Sequence, residues 1–136
     1  MCSQYSKLTE AAEAAMKNAY APYSGFFVGA ALKAEDGQIF TGCNIENSAY
    51  SPTNCAERTA FFKAISEGAR HFEAIAIVGG KNGVINDFCP PCGVCRQVMQ
   101  EFCNGDFKII LKGPVESKIY LLKDLLPQGF GPNQVK

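Results

Sequence analysis

The chain has 136 residues, the size of one compact domain that can bury a core unaided, and too few for two domains of usual size. Thirteen Lys and Arg balance thirteen Asp and Glu, so no overall field draws the protein to nucleic acid or to an anionic membrane. With 47% hydrophobic and 19% charged residues, the composition is that of a globular chain, expected here as a single domain over residues 1–136.

Leu8, Ala11, Ala12, Ala15, Met16 and Ala19 recur at helical spacing, which predicts an amphipathic helix over about residues 5 to 19, ending before Pro22. The same N-terminal stretch, MCSQYSKLTEAAEAAMKN, lacks the apolar core of a signal peptide. No run approaches the roughly 18 apolar residues that span a bilayer, so a cytoplasmic protein without membrane contact is expected. Residues 27–32 and 39–45 read as strands around Asp36-Gly37, a two-residue hairpin signal. A second helix is expected from near Asn54 to Gly68, carrying Ala56, Ala60, Phe61, Ala64 and Ile65.

AIAIV, residues 74–78, followed by Gly79-Gly80, reads as a central strand buried on both faces. A third helix is predicted to place Pro91 in its first turn and to run to Asn104-Gly105. FKIIL (107–111) and KIYLL (118–122) complete the set. This order implies an α/β fold, a five-stranded mixed sheet with helices packed on it.

Seven cysteines, at 2, 43, 55, 89, 92, 95 and 103, argue against a disulfide framework in a chain without an export signal. Cys92 and Cys95 share one face at the start of the third helix, and Cys55 stands at the start of the second. Both helix N-termini favour thiolate over thiol. Three thiolates that converge this way suit zinc, and three protein ligands with an open fourth position define a catalytic site. Glu57, two residues after Cys55, is near enough to move a water's proton, while Arg58 is placed to donate hydrogen bonds to sulfur and offset its charge.

Other readings of the same residues stand beside this one. CxxC also serves redox chemistry, and Cys89 allows a closed four-sulfur site or an iron–sulfur cluster, either of which would make the chain a non-catalytic module. Glu57 follows Asn54 at the spacing of a capping box. Phe26, Asn44 and Phe130, each taken alone, have ordinary roles in core, turn and tail packing.

Cys55-Ala56-Glu57 followed by Pro91-Cys92-Gly93-Val94-Cys95 fits the H-x-E and P-C-x-x-C signature of zinc nucleobase deaminases, with cysteine in place of histidine. CAERTA (55–60) and PCGVCRQ (91–97) resemble the small homotetrameric cytidine deaminases, as do YAPYSGFFVGAAL (20–32), GCNIEN (42–47) and LLPQGFGP (125–132). The resemblance spans almost the whole chain. It implies the cytidine deaminase fold, with helices on both faces of the five-stranded sheet.

It further implies that Cys55, Cys92 and Cys95 hold one zinc ion per chain, and that Glu57 shuttles protons between water, the pyrimidine N3 and departing ammonia. Asn44 and Glu46 would hydrogen-bond the ribose hydroxyls, Phe26 would pack against the base, and the Ala56 N–H would meet the pyrimidine carbonyl. Ser48, Tyr50 and Phe130 match positions that reach a neighbouring subunit's pocket, and Pro90 supplies a backbone carbonyl acceptor. The expected activity is deamination of cytidine and 2′-deoxycytidine in pyrimidine salvage.

Three departures stand out: Ser48 where alanine is more usual, Pro90 where serine is common, and the extra thiol of Cys89. Deaminases of the antibiotic blasticidin S resemble the chain in the PCGxCRQ and LLPxG segments. GCNIEN and the terminal Phe130 favour cytidine instead.

Overall fold

A sheet buried on both faces needs apolar side chains pointing both ways, and the strands supply them. The computed structural model of the chain describes residues 3–136; Cys2, one of the seven cysteines counted above, lies outside them. Five strands, β1 (Phe26–Ala34), β2 (Ile39–Cys43), β3 (Phe72–Lys81), β4 (Lys108–Lys112) and β5 (Ser117–Leu121), form one sheet in the order β2-β1-β3-β4-β5. Only β3 and β4 pair in parallel, and the neighbours on either side are antiparallel. A parallel pair requires a crossover, here made by α3 (Gly93–Phe102).

Helix α1 (Ser6–Met16) covers one face, where Leu8, Ala12 and Met16 cluster with Ala31, Ala74, Ala76, Val78 and Ile110. The other face takes α3 and α2 (Ala56–Ser66), whose Ala60, Phe61, Ala64, Cys95 and Met99 cluster with Ala30, Leu32, Ile75, Ile77 and Ile109. The fully buried Phe61 ring centres this layer, 5.3 Å from Phe72, 6.0 Å from Phe107 and 6.2 Å from Phe102. Burying one such side chain contributes about 1.5–3 kcal/mol.

Small residues set how close the helices come. A Cβ on Gly42 would lie 2.5 Å from both the Ala56 carbonyl and the Ala60 amide, so α2 rests its first turns directly on β2. No helix among the described residues is long and apolar enough to cross a membrane.

Several boundaries differ from the sequence expectation. Helix α1 ends at Met16, because Lys17, Asn18 and Ala19 bond three residues back, to Ala14, Ala15 and Met16, the tighter geometry of a fraying end. The β1–β2 turn encloses three residues rather than two, Glu35 to Gly37 between the paired Ala34 and Gln38: Gly37 N–H donates to Ala34 O and Ala34 N–H to Gln38 O. Gly37 takes φ 98°, as the last residue of a type I turn with a glycine bulge.

Strand β2 stops at Cys43, and Ile45 makes only single bridges, to Tyr20 and Asn54. Helix α3 starts at Gly93 with Cys92 as its N-cap, which puts Pro91 before the helix rather than in its first turn. Leu122, expected to end a strand, instead opens the short helix α4 (Leu122–Leu125). A second short helix, α5 (Pro132–Val135), has no counterpart in the expectation.

Candidate active site

Cys55 and Cys92 are the N-caps of α2 and α3, both in extended backbone, and Cys95 lies three residues further along α3. Packing α2 and α3 on one sheet face brings the two helix starts together. The sulfurs of Cys55, Cys92 and Cys95 all lie within 4.8 Å of one another, with Cys55 to Cys92 at 3.7 Å and Cys92 to Cys95 at 3.5 Å. Two sulfurs each about 2.3 Å from a tetrahedral zinc would stand about 3.8 Å apart, so this donor set fits that ion. Among the described residues Cys89 is outside the cluster, and the closed four-sulfur arrangement does not form. The six described cysteines are all free thiols.

The electrostatics favour charge on the Cys55 sulfur. The Cys55 thiol is drawn down to about 5, first by the hydrogen bond it shares with Cys95 and then by Arg58 and Cys92, against the cost of its burial. Cys95, the buried partner in that bond, is pushed up. Arg58 donates from Nη2 to Cys55 Sγ at 3.2 Å, which holds its guanidinium charged. The charge offset expected at Arg58 is therefore in place.

Glu57 does not cap its helix. The N-cap is Cys55, with no side-chain capping bond, and Asn54 Nδ2 donates instead to Thr59 Oγ1 at 3.2 Å. Glu57 is only 4% exposed, and burial lifts its carboxyl to about 7, with the nearby Cys55 adding to the rise. A carboxyl raised into the neutral range can both take up and release a proton. Ala56, fully buried at the first helical position, keeps its N–H outside the helix's own ladder.

Away from the sulfurs, the amide of Asn44 is fixed at both ends: Oδ1 accepts from Val28 N–H at 2.9 Å and Nδ2 donates to Phe26 O at 2.8 Å. The structure thus joins two expected site residues, Asn44 and Phe26, at the start of β1. Glu46 accepts from the amides of Tyr23 and Ser24 at 2.9 and 3.1 Å and from the Ser24 hydroxyl. Tyr23, Ser24, Glu46, Asn47, Tyr50 and Thr53 line a cleft of about 290 Å³.

Ser48, Tyr50 and Pro90 are exposed. Tyr50 takes φ 66° and sets its ring edgewise to Tyr23 at 6.2 Å. Phe130 is 62% exposed, with its carbonyl held by Gln97 Nε2 at 2.7 Å. Among the described residues, the polar and ring contacts of Tyr50 and Phe130 lead to Tyr23 and Gln97 and not to the cysteine cluster.

Sequence reasoning missed two positioning groups. Arg96, one residue after Cys95, donates from Nε to Pro91 O and from Nη1 to Leu125 O, both at 2.8 Å, so one side chain ties the cysteine loop to the C-terminal segment. Ser24 lies inside a longer motif; its signal is a hydroxyl two residues before a strand start and next to Gly25, the spacing of a local turn.

Cys-x-Glu and Pro-Cys-x-x-Cys meeting at two helix starts is the arrangement of the zinc-dependent nucleobase deaminases. The family profile described as the cytidine and deoxycytidylate deaminase zinc-binding region matches residues 2–111. A cytidine deaminase of Sporosarcina psychrophila is 54% identical over 127 residues, 91% of this chain and 89% of that one. The crystal structure of cytidine deaminase from Burkholderia pseudomallei is 46% identical and superposes with TM-score 0.84, over 91% of this chain and 97% of the other. That of the Mycobacterium tuberculosis enzyme is 39% identical at TM-score 0.78, over 93% and 97%. The chain belongs to the cytidine deaminase family.

Proposed function

We propose that the protein hydrolyses the exocyclic C4–N bond of cytidine and 2′-deoxycytidine, giving the uridine nucleosides and ammonia, as a cytoplasmic enzyme of pyrimidine salvage acting through one domain over residues 1–136. The observation that carries this reading is the cluster of three cysteine sulfurs at two helix starts with the buried Glu57 beside it. One zinc ion held by Cys55, Cys92 and Cys95 supplies Lewis-acid activation of water there.

The remaining work falls to the chain. Glu57 accepts one proton of the attacking water and gives it to pyrimidine N3, then takes the remaining proton from the hydroxyl added at C4 and passes it to the amine, which leaves as ammonia as the C4 carbonyl forms, a sequence that suits a carboxyl near neutral pKa. The Ala56 N–H meets the pyrimidine carbonyl and orients the ring, and the Pro90 carbonyl accepts from the amine. Phe26 packs against the base. Asn44 and Glu46 take the ribose hydroxyls. Arg58 balances the negative charge of the sulfurs, so they do not weaken the activation.

Ser48, Tyr50 and Phe130 complete the pocket of a neighbouring copy in a homotetramer. Their exposure in the single chain, 71% for Tyr50 and 62% for Phe130, supports that role, since large apolar groups left in water are suited to burial on assembly.

The test mixes purified protein with cytidine or deoxycytidine and follows loss of cytosine absorbance together with ammonia release. Turnover of both nucleosides is expected. No turnover of either overturns the reading. Metal analysis with an absorption spectrum should give one zinc per chain and no visible band; a coloured cluster would point to iron and sulfur.

A further inference from the structure

The segment from Ala21 to Gly25 turns back just before β1, with Gly25 N–H donating to Ala21 O at 2.9 Å and Gly25 at φ 67°. Lys81 Nζ, at the end of β3, donates to Ser24 O, and Asn82 N–H donates to Gly25 O at 2.7 Å, so the turn is pinned to the sheet. Within this turn the two amides of Tyr23 and Ser24 converge on Glu46 Oε1, while the Ser24 hydroxyl reaches Oε2.

Counting lone pairs shows what is left. An ionised carboxylate has about four acceptor directions, and three are taken here, two on Oε1 and one on Oε2. The remaining direction belongs to Oε2, the atom that Ser24 holds. The hydroxyl is itself fixed, because it accepts from Phe26 N–H at 3.0 Å and spends its single hydrogen on Glu46. One side chain therefore ties the carboxylate to the first residue of β1. The same contacts hold the Glu46 carboxyl below the usual range, with the Ser24 hydroxyl the largest cause, so it stays an acceptor at neutral pH.

We propose that Ser24 is a positioning residue for sugar recognition: its hydroxyl aims the free lone pair of Glu46 at a ribose hydroxyl and sets that point relative to Phe26. This rests on the cytidine reading above. Threonine can make both bonds, and alanine neither. Because Ser24 is exposed, neither substitution disturbs the core.

The experiment compares wild type, Ser24→Ala and Ser24→Thr, measuring KM and kcat for cytidine and the competition constant of 2′,3′-dideoxycytidine, which lacks both ring hydroxyls, with thermal unfolding of each protein as a check on folding. For Ser24→Ala the KM for cytidine should rise roughly tenfold, the scale of a lost bond to a charged group, while kcat stays within about twofold. The dideoxycytidine constant should move by less than about twofold, and Ser24→Thr should restore the KM. An unchanged KM, an equal loss for both nucleosides, or no rescue by threonine would overturn the inference alone. A wild type that turns over no cytidine would overturn it together with the functional reading.

Discussion

Cys95 and Glu57 are buried against the sheet through α2 and α3, whereas Tyr50 and Phe130, expected in the same site, stand out in solvent from a loop and from the tail. The first pair is positioned by core packing: Gly42 lets α2 rest on β2, and Phe61 and Met99 anchor the two helices whose starts carry the sulfurs. The second pair is held outside the core, Tyr50 by turn hydrogen bonds with Asn47 and Thr53 and an edgewise ring on Tyr23, Phe130 by one carbonyl bond. The difference teaches that core packing of one folded chain is enough to assemble the cysteine cluster and bury Glu57, while it leaves Tyr50 and Phe130 exposed.

The contrast can be broken most severely at the sulfurs. Cys92→Ala removes one of three thiolates, and binding energy for the metal that the native state draws on is lost with it. Zinc content should fall far below one per chain and activity should drop at least about 1,000-fold, with a lower unfolding temperature; metal analysis beside a calorimetric scan checks this. Retention of full zinc would show that the cluster is not the site.

Glu57→Gln separates proton transfer from architecture. The amide keeps the shape, yet cannot carry the proton, so kcat should fall roughly 100- to 10,000-fold while zinc stays near the wild-type level. An active variant with reduced thermal stability would make Glu57 a structural residue after all.

Phe130→Ala tests the exposed end. It should raise KM for cytidine roughly tenfold and leave zinc bound. When it is co-assembled with Glu57→Gln, some pockets should regain an intact pair from different chains, so sites of restored affinity should appear in steady-state kinetics. An active monomer in sedimentation, or mixed assemblies without restored affinity, would place substrate enclosure within the single chain.

The smallest effect should come from Cys89→Ser. This thiol is kept protonated by burial, with a pKa of about 12, and lies outside the sulfur cluster. Zinc content and kcat should remain within about twofold, and the cost in stability should be on the order of 1 kcal/mol. Loss of zinc in this variant would reinstate a fourth sulfur ligand.

Much of this was legible in the chain itself, and the parts that were not share a cause. Helical spacing from Leu8 to Met16 and the apolar run of residues 74–78 are local consequences of which faces are buried, so α1 and β3 could be read directly. The three cysteines and Glu57 were visible because metal-ligand spacing is carried by types and intervals along the sequence.

Asn54 and Glu57 misled where a local rule met a tertiary demand. Their spacing suits a capping box, yet the helix start turns Glu57 into the interior and leaves Asn54 to Thr59. Pro91 likewise fits a first helical turn by propensity, but it is buried before the cap with its carbonyl engaged by Arg96. The Glu46 partner of Ser24 and the Leu125 partner of Arg96 could not be read from spacing, because they lie 22 and 29 residues away.

That 29-residue reach of Arg96 has a consequence for the tail. One guanidinium serves the carbonyl just before Cys92 and the carbonyl of Leu125 together, so the last stretch of the chain acts as a brace on the cysteine loop. Proteolytic clipping before Leu125 would strip one acceptor from this half-buried cation, leaving it to compete for water or to swing out and release the Pro91 carbonyl as well. Damage at the carboxyl terminus would then register at the start of α3, as a loosening of the segment that carries Cys92.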